Sequence, residues 1–178
     1  MAATSRDATV LAFDFGTQRI GVAMGNTLMR VAHPLTTIDD ERTDERFAAI
    51  AGLVKEWQPA TLVVGLPTHA DGTEHEMTLR AQRFGRQLEG RFRLPVVMVD
   101  ERWTTEGAQS VLEAAGMTGR RGRAERDSVA AQLILQSWFD ELDEPSDVEQ
   151  SDGEQNDVER NDVDQNDVDP DAPASANP

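Results

Sequence analysis

The six residues Thr61–Leu66 (TLVVGL) constrain the fold more than any other stretch, because they form a near-continuous apolar run rather than an alternating one. A strand of this kind needs both of its faces covered, which calls for a sheet with helices on each side. The flanking residues agree. Asp44–Trp57 sets Phe47, Ile50, Ala51, Val54 and Trp57 at helical spacing and is stopped by Pro59. After a loop at Pro67–Thr73, Glu74–Arg91 reads as a second helix and Pro95–Val99 (PVVMV) as a second buried strand.

The chain before Asp44 has a different texture. Thr9–Phe15 (TVLAFDF) and Ile20–Met24 (IGVAM) are short apolar runs joined by Gly16-Thr17-Gln18-Arg19, the pattern of a hairpin. Gly25-Asn26 is a further turn signal, and a third strand is expected within Met29–Thr37. Downstream, Thr104 or Thr105 caps a helix running to about Ala115. Gly116–Arg123 (GMTGRRGR) has no periodicity and reads as a mobile basic loop, followed by a last helix over Ala124–Leu142. The prediction is an α/β domain: a mixed sheet of three antiparallel strands and then two parallel ones, flanked by helices.

Charge divides the chain. From Asp143 to Asp171 there are 13 acidic residues against one base, Arg160, so −12 of the formal −16 lies there. That segment is a tandem pentapeptide (SDVEQ, SDGEQ, NDVER, NDVDQ, NDVDP) with too few apolar positions for a core. The expected organisation is a flexible lead-in over 1–8, one domain over 9–142 and a disordered acidic tail over 143–178. The domain itself is nearly balanced, so its arginines are free to meet an anionic partner. Arginine occurs 16 times and lysine once, at Lys55, which makes most of the positive donors planar and bidentate.

Several classes drop out. With no cysteine, disulfides and thiolate zinc sites are excluded. Met1–Thr9 carries no apolar signal region, and no apolar run approaches the ~18–20 residues that span a bilayer, so a cytoplasmic protein with no membrane partner is expected.

Three acids stand out. Asp14 ends an apolar strand just before Gly16, where a carboxylate is costly unless paired, hydrogen-bonded or metal-bound; capping of the turn is the competing reading. Asp100-Glu101 stands at the tip of Pro95–Val99, and in extended chain only one of the two faces the Asp14 side. Asp127 lies in the first turns of the last helix, where a favourable helix-dipole interaction competes with a functional role. Strand ends and helix starts are where open α/β sheets present ligands. Converging carboxylates repel unless a cation neutralises them, and an all-oxygen donor set suits Mg2+ or Mn2+.

Four segments in order, Asp14–Ala23 (DFGTQRIGVA), Val64–Thr73 (VGLPTHADGT), Pro95–Thr105 (PVVMVDERWTT) and Asp127–Leu135 (DSVAAQLIL), together resemble the YqgF/RuvX family. The resemblance spans nearly all of 9–142 and implies an RNase H-like fold related to Holliday-junction resolvases. It implies a divalent-metal nuclease maturing the 5′ end of pre-16S ribosomal RNA, with branched DNA as the other substrate and pre-ribosomal particles as a setting. Position by position it marks Asp14, Glu101 and Asp127 as catalytic and metal-binding residues, with Asp100 the fallback for Glu101. The family usually carries lysine where this chain has Gln18, and often an acid where it has Asn26. Either difference spares the three acids.

Arg19 in the hairpin turn and Arg102 beside Glu101 are candidate phosphate contacts. So are Arg120, Arg121, Arg123 and Arg126, which lead into Asp127. A solvated charge run is the plainer reading of that cluster. His33, His69 and His75 are scattered, and Trp57, Trp103 and Trp138 read as packing residues. The competing functions are a non-catalytic nucleic-acid-binding factor in ribosome assembly and a sugar-kinase or actin-like ATPase. The second needs two such domains, which about 140 structured residues do not supply. Oligomeric state, monomer or homodimer, stays open.

Overall fold

The computed structural model describes residues 7–67, 75–101 and 119–143. Its framework is a five-stranded sheet in the order β3-β2-β1-β4-β5. β1 (Thr9–Phe15), β2 (Arg19–Asn26) and β3 (Val31–Asp39) form an antiparallel meander. β4 (Thr61–Leu66) then pairs parallel with β1, and β5 (Val96–Asp100) parallel with β4. This is the mixed sheet expected from the pattern of apolar runs.

β1 lies at the centre, and Val10, Leu11, Ala12 and Phe13 are all fully buried. Strand alternation sends them to two separate cores. Leu11 and Phe13 join Phe47 and Ile50 of α1 (Thr43–Trp57) and Phe84 and Leu88 of α2 (Glu76–Phe92). Val10 and Ala12 join Ala131, Ile134, Leu135 and Phe139 of α3 (Gly119–Asp143) on the other face.

Local chemistry sets the ends of the helices. α1 and α2 both stop at a residue in the left-handed region, Gln58 (φ 47°) and Arg93 (φ 53°), whose N–H returns to Val54 and Glu89. α2 opens with His75, whose Nδ1 accepts from the Met77 N–H at 3.1 Å. Capping is therefore the role the structure gives His75. Trp57 and Trp138 pack against the first and second cores, as expected.

β3 is an edge strand, which is why Pro34 is tolerated there, at a register irregularity opposite Val22/Ala23. Two glutamines of α3 cover its backbone. Gln136 Oε1 accepts from the Ala32 N–H at 3.1 Å, and Gln132 Nε2 donates to the Ala32 carbonyl at 2.9 Å.

One expectation is corrected. The segment read as a loop up to Arg123 is already helical from Gly119. Gly119–Arg123 (GRRGR) holds no apolar side chain, so no apolar period marks this turn in the sequence. The DGT loop, Arg102, the helix expected from Thr104 or Thr105 and the acidic tail lie outside the described residues.

Candidate active site

Asp14 follows Val10 and Ala12 on the α3 face of β1, at the end of the strand. Its antiparallel partner in β2 is Gly21. A Cβ built at Gly21 would overlap the backbone carbonyl of Asp127 and come within 3.0 Å of the Ser128 nitrogen. α3 therefore lies backbone-to-backbone on β2 at this point, and the missing side chain brings Asp127 over the strand end that carries Asp14.

A second glycine does the same on the other side of β1. A Cβ at Gly65 in β4 would collide with Glu101 Oε1 and with Ile134 Cδ1 of α3. Val97 and Val99 of β5 pack in the α3 core, and Glu101 continues their alternation, so it returns to the face of Asp14. Asp100 falls on the alternate position. Of the adjacent pair, Glu101 is thus the one beside Asp14.

Electrostatics follow from this crowding. Burial, followed by the charge of Asp127, pushes the Asp14 carboxyl up to about 6. Burial, followed by Asp14 and then Asp100, pushes Glu101 up to about 7. Desolvation is the larger cause for both, since a carboxylate taken out of water loses more than its acidic neighbours cost it. Asp127 has a different environment: Arg19 Nε donates to its Oδ2 at 2.5 Å, and both side chains are about three-quarters covered (27% and 26% exposed). That bond holds the Arg19 guanidinium above its ordinary value.

Asp14, Asp127 and Arg19 line a depression of about 200 Å3 with Gly16, Thr17 and Gln18. The donor chemistry suits a hard divalent cation: oxygens only, two of the carboxyls pushed toward neutrality by burial and by their acidic neighbours. The trio is not drawn together around one point, however. Among the described residues no three acids or histidines are close enough to hold a metal jointly, and Arg19 supplies the positive charge next to Asp127.

The arginines separate. Arg19, expected in the turn as a phosphate contact, begins β2 and is committed to Asp127. Arg123 is exposed and Arg126 half-buried, both within about a turn of Asp127. Arg120 belongs to the first turn of α3 and Arg121 to the same helix. The dipole reading of Asp127 falls, because eight residues of helix precede it and that effect fades beyond the first turn. Sequence reasoning passed over Gly21 and Gly65, although a glycine inside an apolar strand is itself a signal of close backbone approach.

The architecture that carries these acids, an antiparallel meander followed by two parallel strands with helices on both faces, is RNase H-like. Thermus thermophilus RuvC, solved in complex with a Holliday junction substrate, shares this fold with a TM-score of 0.50 at 13% identity, over 75% of this chain and 95% of that one. The chain belongs to the RuvX family, whose model, described as "RuvX: Holliday junction resolvase", matches residues 8–141. A Nitrosomonas europaea protein named "Putative pre-16S rRNA nuclease" is 58% identical over 137 residues, 77% of this chain and 93% of that one. A Methylobacillus flagellatus protein of the same name is 56% identical over 141 residues, 79% and 96% of the two chains.

Proposed function

We propose that this protein is a divalent-metal nuclease that hydrolyses phosphodiester bonds, acting in maturation of the 5′ end of pre-16S ribosomal RNA. The observation that carries this reading is the buried pair Asp14 and Glu101, each pushed up toward neutrality, with Asp127 on the same face. Such a pair is a poor structural element and a good cation receptor. The names of relatives at 56–58% identity support the substrate.

Asp14, Glu101 and Asp127 would hold Mg2+ or Mn2+, which supplies charge neutralisation and a more acidic water at the scissile phosphate. The remaining work belongs to the chain. Glycines 21 and 65 keep the carboxyls on one crowded face, and burial keeps bulk water from screening them. Arg19 holds Asp127 in place and, on letting go of it, presents a cation to the phosphate. Arg102, Arg120, Arg121, Arg123 and Arg126 would track the backbone of the nucleic acid. No helix among the described residues is long and apolar enough to cross a membrane.

A second reading draws on the Arg19–Asp127 bond, which engages one of the three acids. It is a non-catalytic RNA-binding factor of ribosome assembly. Cleavage of labelled pre-16S RNA and of a four-way DNA junction, with Mn2+ or with EDTA, separates the two. Metal-dependent cutting of the RNA, lost in Asp14→Asn, Glu101→Gln and Asp127→Asn with binding retained, is the expected result. Binding with no cutting favours the assembly factor, and cutting of the junction alone transfers the activity to branched DNA.

A further inference from the structure

On the face of β1 opposite Asp14 lies a cavity of about 420 Å3, inside the ~300–1,000 Å3 range of small-molecule sites. Its floor is aromatic. The half-buried Phe15 lies against Phe84, centroids 4.9 Å apart and planes 30° from parallel. Its walls are cationic, with Arg46 from α1 and Arg80 and Arg83 from α2, and Gln87 stands one turn beyond Arg83. No carboxylate is among the described residues that line it.

Arg46 sets this cavity apart from an ordinary basic surface. The residue is only 8% exposed and makes no ion pair among the described residues, although burial pulls its pKa down and only Asp40 and Glu41 oppose that. One Nη donates to the Gly16 carbonyl, the guanidinium carbon lies 5.4 Å from the Phe15 ring centroid, and the buried Nε has no hydrogen-bond partner among the described residues. A desolvated cation with an unmet donor is costly unless an anion completes it. Arg83 is exposed and has no carboxylate partner among the described residues, whereas Arg80 is paired with Glu76 at 2.5 Å. Two of the three arginines are therefore available to an anion.

We propose that this cavity is a nucleotide-binding site, taking a base on the Phe15 ring and its phosphate between Arg46 and Arg83. The aromatic floor with a cationic rim fits a nucleotide better than a bare phosphate, since every base offers a flat face to stack. Gln87, with both donor and acceptor, suits a base edge. The position suggests which nucleotide. Asp14 and Phe15 are consecutive residues, ~3.8 Å apart at Cα and facing opposite sides of the sheet. Arg46 is bonded to the next residue, Gly16. A strand crossing the end of β1 would set one nucleotide in the cavity while a neighbouring phosphate reaches the acids. This assignment of the nucleotide to the substrate strand rests on the nuclease reading; the site itself does not.

The test uses the full chain carrying Asp14→Asn, so that RNA binds without turnover, titrated with adenosine 5′-monophosphate, adenosine, inorganic phosphate and a labelled RNA oligonucleotide. The same titrations follow with Arg83→Glu added, and separately with Phe15→Leu, two substitutions that leave the buried Arg46 in place. The nucleotide should bind more tightly than adenosine or phosphate, and Arg83→Glu should weaken both nucleotide and RNA at least about tenfold, with Phe15→Leu weakening them less. Loss of nucleotide binding with unchanged RNA affinity overturns the substrate-strand assignment and leaves a site for free nucleotides. Nucleotide binding that neither substitution alters, or none at millimolar concentration together with unchanged RNA affinity, overturns the site. If the chain without Asp14→Asn cuts no RNA while nucleotide binding still depends on Arg83, the nuclease reading fails and the cavity stands.

Discussion

The two faces of the sheet are built from different materials. Toward α1 and α2 the contacts are large: Leu11, Phe13, Phe47, Ile50, Phe84 and Leu88, with Phe84 touching the rings of Phe13, Phe15 and Phe47. Toward α3 the strands offer smaller groups, Ala12, Ala23 and Ala32 beside Val10, Val63 and Val99 and the bare backbones of Gly21, Gly25 and Gly65, while the helix itself brings Ile134, Leu135 and Phe139. Bulky side chains hold a helix off its sheet, and here they leave a cavity at the end of β1. Small ones let α3 settle on the strands, which is what brings Asp127 over Asp14. Both faces bury an apolar core, and the second adds to it the close placement of charged groups.

Substitutions on either face sharpen this contrast. Phe13→Ala should have the largest effect, destabilising by about 3–5 kcal/mol in denaturant unfolding, as expected for a fully buried aromatic ring. A loss under ~1 kcal/mol would mean that the aromatic face is not the main core.

The acid face should show an inverted pH dependence. Folded-state values of about 6 for Asp14 and about 7 for Glu101 lie above their ordinary 3.8 and 4.5, so the folded chain binds protons more tightly than the unfolded one. The metal-free protein should therefore lose stability as pH rises from about 4 to about 7, by on the order of 3 kcal/mol for each acid taken singly. Asp14→Asn should flatten that profile, and Mn2+ should recover the loss near neutral pH. A metal-free protein that becomes steadily more stable over the same range would remove the basis for a strained acid pair.

Gly21→Ala comes next, at about 1–3 kcal/mol, because the added methyl meets α3 backbone rather than a movable side chain. Nuclease activity should fall further than stability, since the displacement acts on Asp127. Equal activity per folded molecule would separate the glycine from the site. The smallest effect is expected from Gln136→Ala, about 1 kcal/mol, for the loss of its bonds to the Ala32 N–H and the Arg30 carbonyl at 3.1 Å each. A larger loss would make the β3 edge a principal support of α3.

Some of this was legible in residue order. Continuous apolar runs mark strands covered on both faces, so Thr9–Phe15 and Thr61–Leu66 announce themselves. Asp14 and Glu101 were visible as acids at the tips of such runs. The start of α3 was not, because Gly119–Arg123 has low helix propensity and no apolar period. Nor was the partner of Arg19, which lies 108 residues away.

The sequence by itself determined the order of the strands and helices among the described residues, the inner place of Thr61–Leu66 in the sheet and the concentration of acidic charge in the repeat segment. These are properties of short stretches, governed by periodicity and composition. Only the tertiary structure decided that Glu101 rather than Asp100 shares the face of Asp14. Only it decided that Arg19 serves Asp127, that Gly21 and Gly65 are the gaps that let the Asp127 backbone and Glu101 approach the strands, and that Arg46 is buried with a donor unmet among the described residues. Each of these depends on how far apart backbones lie once both faces are packed, and no local pattern encodes that distance.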